Sequence, residues 1–298
     1  MKTREWKGNT GGGLFGQQSL IVLFRFFNVR VGYFLLVLVV PFYMLFARKA
    51  CSAIYCFFRE RLGYSALKSF CKTYNNHYTF GQVILDRFSV FAGRKELFEI
   101  EIVGNEHFFR LTNGEKGFIV ASSHIGNFEI GGYFLYSDKK KMNALIYAGE
   151  SEVVQKNRSG LLNDNNINLI PVLDDMSHLF AVNSVLQNGE IVSMPCDRNL
   201  GSAKSVECDF LSKKAKFPIG AFALATAFNV EVLSIFIIKK TARKYMVYVK
   251  PVEIENWTEE TTKQEKIEQY VCAYVKNVED IVHEYPEQWF NYYDFWAN

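Results

Sequence analysis

Apolar residues crowd the first part of the chain and later break into short runs. The most apolar stretch lies between residues 20 and 47, and residues 31–47 carry no charge across 17 positions. As a helix that run spans roughly 25 Å, the lower limit for crossing a bilayer. Pro41 would kink it, while Arg25 and Arg30 before it and Arg48 and Lys49 after it can extend toward headgroups. The pattern predicts an N-terminal membrane helix within residues 1–50 that either spans the bilayer or lies in its interface. Basic residues on both flanks leave its orientation open. The run begins late and no small-residue cleavage site precedes Arg48, which argues against a removed signal peptide. A buried core helix is the third reading.

Residues 51–95 predict a helical linker, with Ile54, Phe57, Phe58 and Leu62, then Val83, Ile84 and Phe88, at helical spacing. Tyr64, Tyr74, His77 and Tyr78 are assigned to packing. Over residues 96–298 β-branched runs alternate with helical patterns, which predicts an α/β domain of αβα layers around a mixed central sheet. Strands are expected over 98–102, 118–122, 144–147, 167–172, 191–194, 230–238 and 246–252. Helices are expected over 127–136, 153–163, 176–187, 219–228 and 262–283. The last carries Ile267, Val271, Tyr274, Val275, Val278 and Val282 on one face.

With 298 residues the chain can bury a full core. Its 34 basic and 31 acidic residues nearly balance, which gives no case for nucleic acid as a partner. Aromatics reach 16%, which fits contact with lipid or a long apolar ligand as well as a Phe-rich core. The six cysteines are scattered without a C-x-x-C pair, so reduced thiols facing the cytosol are expected and a structural zinc is not.

Candidate chemistry centres on Val120-Ala-Ser-Ser-His-Ile-Gly-Asn-Phe-Glu129, a strand running into a histidine and, five positions on, a glutamate. Neutral His124 can take a proton from a hydroxyl or amine as that group attacks a carbonyl. Five positions separate the two side chains by about 140° on one helix. The expectation is therefore that His124 sits in a turn after the strand, that Gly126 permits the bend, and that Glu129 reaches back from the next helix to support the imidazole. Alone, the spacing also fits a capping histidine and a surface glutamate. Active sites in layered α/β folds gather at strand carboxyl ends. Arg158 follows the third expected strand, and Asp197 and Arg198 follow the fifth. An Asp-Arg pair there can also be a plain salt bridge; beside His124 the guanidinium groups can hold a phosphate or steady an oxyanion.

Four blocks resemble the lysophospholipid acyltransferase superfamily, and within it the bacterial late acyltransferases of lipid A biosynthesis. They are Ser123-His-Ile-Gly-Asn-Phe-Glu129; Lys156-Asn-Arg158; Asn188-Gly-Glu-Ile-Val-Ser-Met-Pro-Cys-Asp-Arg198 with Phe210-Leu211 and Lys216-Phe-Pro-Ile-Gly220; and Tyr285-Pro-Glu-Gln-Trp289. The likeness runs over about residues 15–295, and Trp6 to Gly13 also resembles a divergent branch. It implies His124 as general base with Glu129 as partner, and Asn127, Arg158, Asp197 and Arg198 around the oxyanion or acceptor. It implies an acyl thioester donor on acyl carrier protein or coenzyme A, no cofactor, and a lipid acceptor at the cytoplasmic face of a bacterial inner membrane. After Trp289 the lipid A enzymes run through aromatic and basic residues, whereas residues 290–296 here are aromatic and acidic. An acidic carrier would dock on a basic surface, for which Lys139–Lys141, Lys213–Lys216 and Lys239–Lys240 with Arg243 and Lys244 are candidates.

Rival chemistries lack their motifs. No G-x-S-x-G elbow supports a serine esterase, and neither H-E-x-x-H nor a second histidine near His124 supports a metal site. A catalytically silent lipid-binding or assembly protein is the rival from another class.

Overall fold

The computed structural model describes residues 29–135, 137–147, 166–172, 177–198, 204–254, 258 and 260–296. Its strands are β1 (Glu99–Val103), β2 (Phe118–Ser122), β3 (Met142–Tyr147), β4 (Ile167–Val172), β5 (Ile191–Pro195), β6 (Ser205–Phe210), β7 (Lys213–Pro218), β8 (Val232–Lys239) and β9 (Lys244–Pro251). Seven form one mixed sheet in the order β1-β9-β8-β2-β5-β3-β4, in which only the β8–β9 pair is antiparallel.

Alternation along the central strands builds the layers. Phe118 and Val120 of β2 enter one apolar cluster, while Ile119 and Ala121 enter a second on the opposite face. In β8 every residue is buried, with Leu233, Ile235 and Ile237 on one side and Val232, Phe236 and Ile238 on the other. Strands buried on both faces must be covered by helices on both faces, as the αβα expectation required.

The helices are α1 (Val29–Phe46), α2 (Arg48–Cys56), α3 (Ala66–Phe91), α4 (Asn105–Asn113), α5 (Gly131–Phe134), α6 (Ser177–Gln187), α7 (Gly220–Phe228) and α8 (Lys263–Glu284). Thr262 and Glu265 close a capping box on α8, and its predicted apolar face, from Val271 to Val282, is buried. Where one helix was expected over 127–136, the chain makes a 3₁₀ turn at Phe128–Ile130 and the single turn of α5. The helix expected over 153–163, like Trp6 to Gly13, lies outside the described residues. Neither α4 nor the separate β6–β7 ribbon was expected.

Helix α1 is long and apolar enough to cross a membrane by length and composition. It runs antiparallel to α3: Tyr33 meets Asp86, Leu36 meets Gly81, and Tyr43 lies 5.9 Å from the His77 ring. A Cβ on Gly81 would sit 2.8 Å from Leu36, so glycine permits this approach. Only Val29, Tyr33 and Val40 of α1 are buried, while Phe34, Leu38, Phe42 and Phe46 are between 64% and 73% exposed.

Candidate active site

Strand register brings the site together. β2 and β5 are parallel neighbours with Ser122 opposite Pro195, so His124 and Asp197 each lie two residues beyond a paired position, past the carboxyl ends of adjacent central strands. The pairing continues past the strands, since the Cys196 amide donates to Ser122 O at 2.9 Å. Tyr274 of α8 donates its hydroxyl to the same carbonyl at 2.8 Å.

Asp197 grips His124 twice. Its Oδ1 accepts from the ring Nδ1 at 2.8 Å and its Oδ2 from the His124 amide at 2.8 Å. The Asp197 side chain is 2% exposed and that of His124 is 23% exposed. Burial alone would push the carboxyl up. The charges of His124 and Arg198 and the two bonds from His124 outweigh it and hold Asp197 below its ordinary range. An ionised carboxylate only accepts, so Nδ1 carries a hydrogen, and when the ring is neutral its lone pair lies on Nε2. Among the described residues no side chain occupies Nε2, and the Phe128 ring stands edge-on to the imidazole at 5.1 Å.

The backbone after His124 is fixed by the C-terminal segment. Phe290 N donates to His124 O at 3.1 Å, Gly126 N to Gln288 O at 2.8 Å, and Asn127 N to Ile237 O at 2.7 Å. Gly126 takes φ of +62°, and a Cβ there would meet Ile237 O at 2.0 Å, so the bend requires glycine. Trp289 bridges Ile125 and packs against Phe57, Phe210 and Phe295.

The geometry gives three of the expected site residues the following partners. Glu129 is not seated on the imidazole: it pairs with Arg87 of α3, and Asp197 takes the Nδ1 position instead. The 3₁₀ turn directs Glu129 toward the helix that flanks the sheet. Asn127 is 2% exposed, and its amide donates to Val83 O at 3.3 Å and Tyr245 Oη at 3.2 Å, so those hydrogens are already used in the core and are not free for an oxyanion. Arg198 donates from Nη2 to Phe290 O at 2.7 Å and lies over the Tyr293 ring, which ties the C-terminal segment to the site. Arg158 lies outside the described residues.

Two basic docking candidates are also internal. Lys140 donates to the carbonyls of Glu115, Lys116 and Gly189, and Lys239 pairs with Asp86 in the core. Lys213, Lys214 and Lys216 are exposed on β7. Sequence reasoning missed Arg87, Asp86 and Tyr245. A charge inside the apolar run Val83-Ile84-Leu85-Asp86, and a lysine ending the apolar strand at Lys239, were the available signals. Among the described residues, no group of three or more His, Cys, Asp or Glu side chains could hold a metal. A polar cavity of about 290 Å³, lined by Thr79, Gln82, Lys240 and Glu284 among others, includes neither His124 nor Asp197 in its walls and offers little apolar surface to an acyl chain.

Comparison with known families gives the class, the lipid acyltransferases. Residues 74–296 match the model of the bacterial lipid A biosynthesis acyltransferases, and the chain belongs to that family. Among solved structures, it is similar to the 1-acyl-sn-glycerophosphate (LPA) acyltransferase PlsC from Thermotoga maritima, at 14% identity and a TM-score of 0.37, covering 84% of this chain and 98% of that one. No curated protein sequence matches it.

Proposed function

We propose that this acyltransferase moves a fatty acyl chain from a thioester, carried on acyl carrier protein or coenzyme A, to a hydroxyl or amine of a membrane lipid. The observation that carries the mechanism is the double contact of Asp197 with His124. Asp197 holds the imidazole with Nε2 free, and Nε2 takes the proton of the acceptor as its oxygen or nitrogen attacks the thioester carbonyl. The tetrahedral oxyanion collapses, the C–S bond breaks, and the departing thiolate recovers the proton from His124. Arg198 beside Asp197 adds positive potential at these strand ends. No acyl-enzyme is needed, and the activated acyl group arrives on the donor, so no cofactor is required.

The membrane partner is engaged through α1, at the cytoplasmic face of the bacterial inner membrane. Burying Phe34, Leu38, Phe42, Leu45 and Phe46 in lipid is worth about 1.5–3 kcal/mol each, comparable in sum to the stability of a whole domain. Crossing the bilayer would carry α3 in with α1. The other side of α3 is bonded to the catalytic domain through Lys72 to Glu287 and Asn76 to the Glu287 and Trp289 carbonyls. Placing such groups in hydrocarbon costs several kcal/mol apiece, which favours α1 lying in the interface.

The test is mass spectrometry of total membrane lipids from cells with and without the gene, complemented by wild type or His124→Ala. A lipid that gains one acyl chain only with wild type supports the reading and identifies the acceptor. Equal profiles from both complements would remove His124 as the base and favour a silent lipid-binding protein.

A further inference from the structure

A buried polar cluster joins the lipid-facing helix to the catalytic turn. Asp86 of α3 is fully buried and accepts from three donors: the hydroxyl of Tyr33 on α1, the hydroxyl of Tyr245 on β9 and the ammonium of Lys239 on β8. Lys239 also donates to Tyr33 Oη at 2.9 Å. From this cluster two connections reach the loop after His124. Through Tyr245, the hydroxyl oxygen accepts from Asn127 Nδ2 at 3.2 Å, three residues past His124. Through Lys239, its amide donates to Gln288 Oε1 at 2.9 Å and its carbonyl accepts from Gln288 Nε2 at 2.8 Å, while Gln288 O receives the Gly126 amide.

We propose that Tyr33, Asp86 and Tyr245 are positioning residues that couple the seating of α1 on the domain to the geometry of the His124 turn. The inference rests on the reading of His124 as the base. None of the three touches the imidazole; each acts through Asn127 or Gln288. Satisfying one carboxylate from three separate elements fixes their relative positions more tightly than apolar contact does, because every donor has one acceptable direction. A helix whose apolar face docks on lipid is thereby registered against the turn that presents the base, and general-base catalysis is sensitive to displacements of about 1 Å. An apolar core would hold α1 on the domain without directing the turn. The directional bonds are what the proposal assigns to catalysis.

The experiment compares Tyr245→Phe and Tyr33→Phe, which delete one hydroxyl each and keep the ring, with Tyr78→Phe. Tyr78 donates to Tyr33 O at 3.2 Å, so its loss removes an α1–α3 bond without touching Asp86. Each full-length protein is measured in phospholipid vesicles for kcat and KM, for melting temperature, and for the ¹⁵N and ¹H signals of the His124 ring, assigned through His124→Gln. The expected result is a kcat about tenfold lower in Tyr245→Phe and Tyr33→Phe with KM nearly unchanged, a moved His124 signal in both, and neither effect in Tyr78→Phe. Two outcomes would overturn the coupling. One is a lowered melting temperature with rate per folded molecule and His124 signal unmoved; the other is an equal loss in Tyr78→Phe. If wild type transfers no acyl chain, the proposed function fails, and the His124 signal alone still decides the coupling.

Discussion

Asp197 and Asp86 are both buried carboxylates with several donors, and burial leaves them on opposite sides of the ordinary range. Asp197, at a strand end, is held below it because His124, Arg198 and a backbone amide all favour the charge against desolvation. Asp86, between α3 and the sheet, is pushed above it: desolvation outweighs Lys239, Tyr245 and Tyr33, and the same burial pushes Lys239 down. The difference lies in the surroundings and not in the depth. At the strand end the carboxylate meets an imidazole that still touches solvent, whereas in the core the ammonium of Lys239 has been stripped of water as well. A carboxylate kept ionised can orient a base; one whose charge is disfavoured serves better as a joint between elements.

The largest effect is expected at the base itself. His124→Ala should lower acyl transfer about a thousandfold or more while the fold survives, read as product formation with circular dichroism alongside. Asp197→Asn should cost about a hundredfold or more in kcat, because an amide at this position no longer enforces the hydrogen on Nδ1. Its stability effect carries a definite pH sign. A folded pKa below the unfolded value of about 3.9 means that the carboxylate contributes stability above that value and loses it as pH falls through the folded pKa. The melting-temperature gap between wild type and Asp197→Asn should therefore be full at pH 7 and close in acid.

Asp86→Leu should act mainly on stability. It strands the Lys239 ammonium in the core at a cost of about 3–5 kcal/mol, and adding Lys239→Met should recover most of the lost denaturation midpoint. Recovery of stability without recovery of kcat would sharpen the contrast between a joint and a packing site. Gly126→Ala meets both a left-handed backbone and the Ile237 carbonyl, and should cost about 1–3 kcal/mol with a fall in rate. Glu129→Gln should have the smallest effect, less than about tenfold in kcat, since its carboxylate is engaged by Arg87 rather than the imidazole.

The sequence and the structure agree where local pattern and topology coincide. Residues 118–122 and 167–172 form strands with the expected bounds, and the α8 face is as read, because short apolar runs and 3.6-residue periodicity are written locally. The β6–β7 ribbon was hidden by its turn. Leu211 and Ser212 both take positive φ, at 51° and 61°, in a position usually marked by Asn-Gly, so no turn signal was present. Burial of Leu211 and donation of its amide to Glu279 at 2.6 Å hold that strained conformation. At the site, the order of His124 and Asp197 after two apolar strands was readable, but which carboxylate reaches the ring was not. That choice depends on β2 and β5 being neighbours and on Arg87, 42 residues before Glu129, drawing the nearer acid away.

The most direct measurement is kcat for Asp197→Asn and Glu129→Gln, side by side in the same vesicles with the same thioester donor. A loss for Asp197→Asn at least tenfold greater than that for Glu129→Gln, at similar KM, is the result predicted here. The reverse order, with Glu129→Gln the more damaged, would contradict the assignment of Asp197 as the partner of His124.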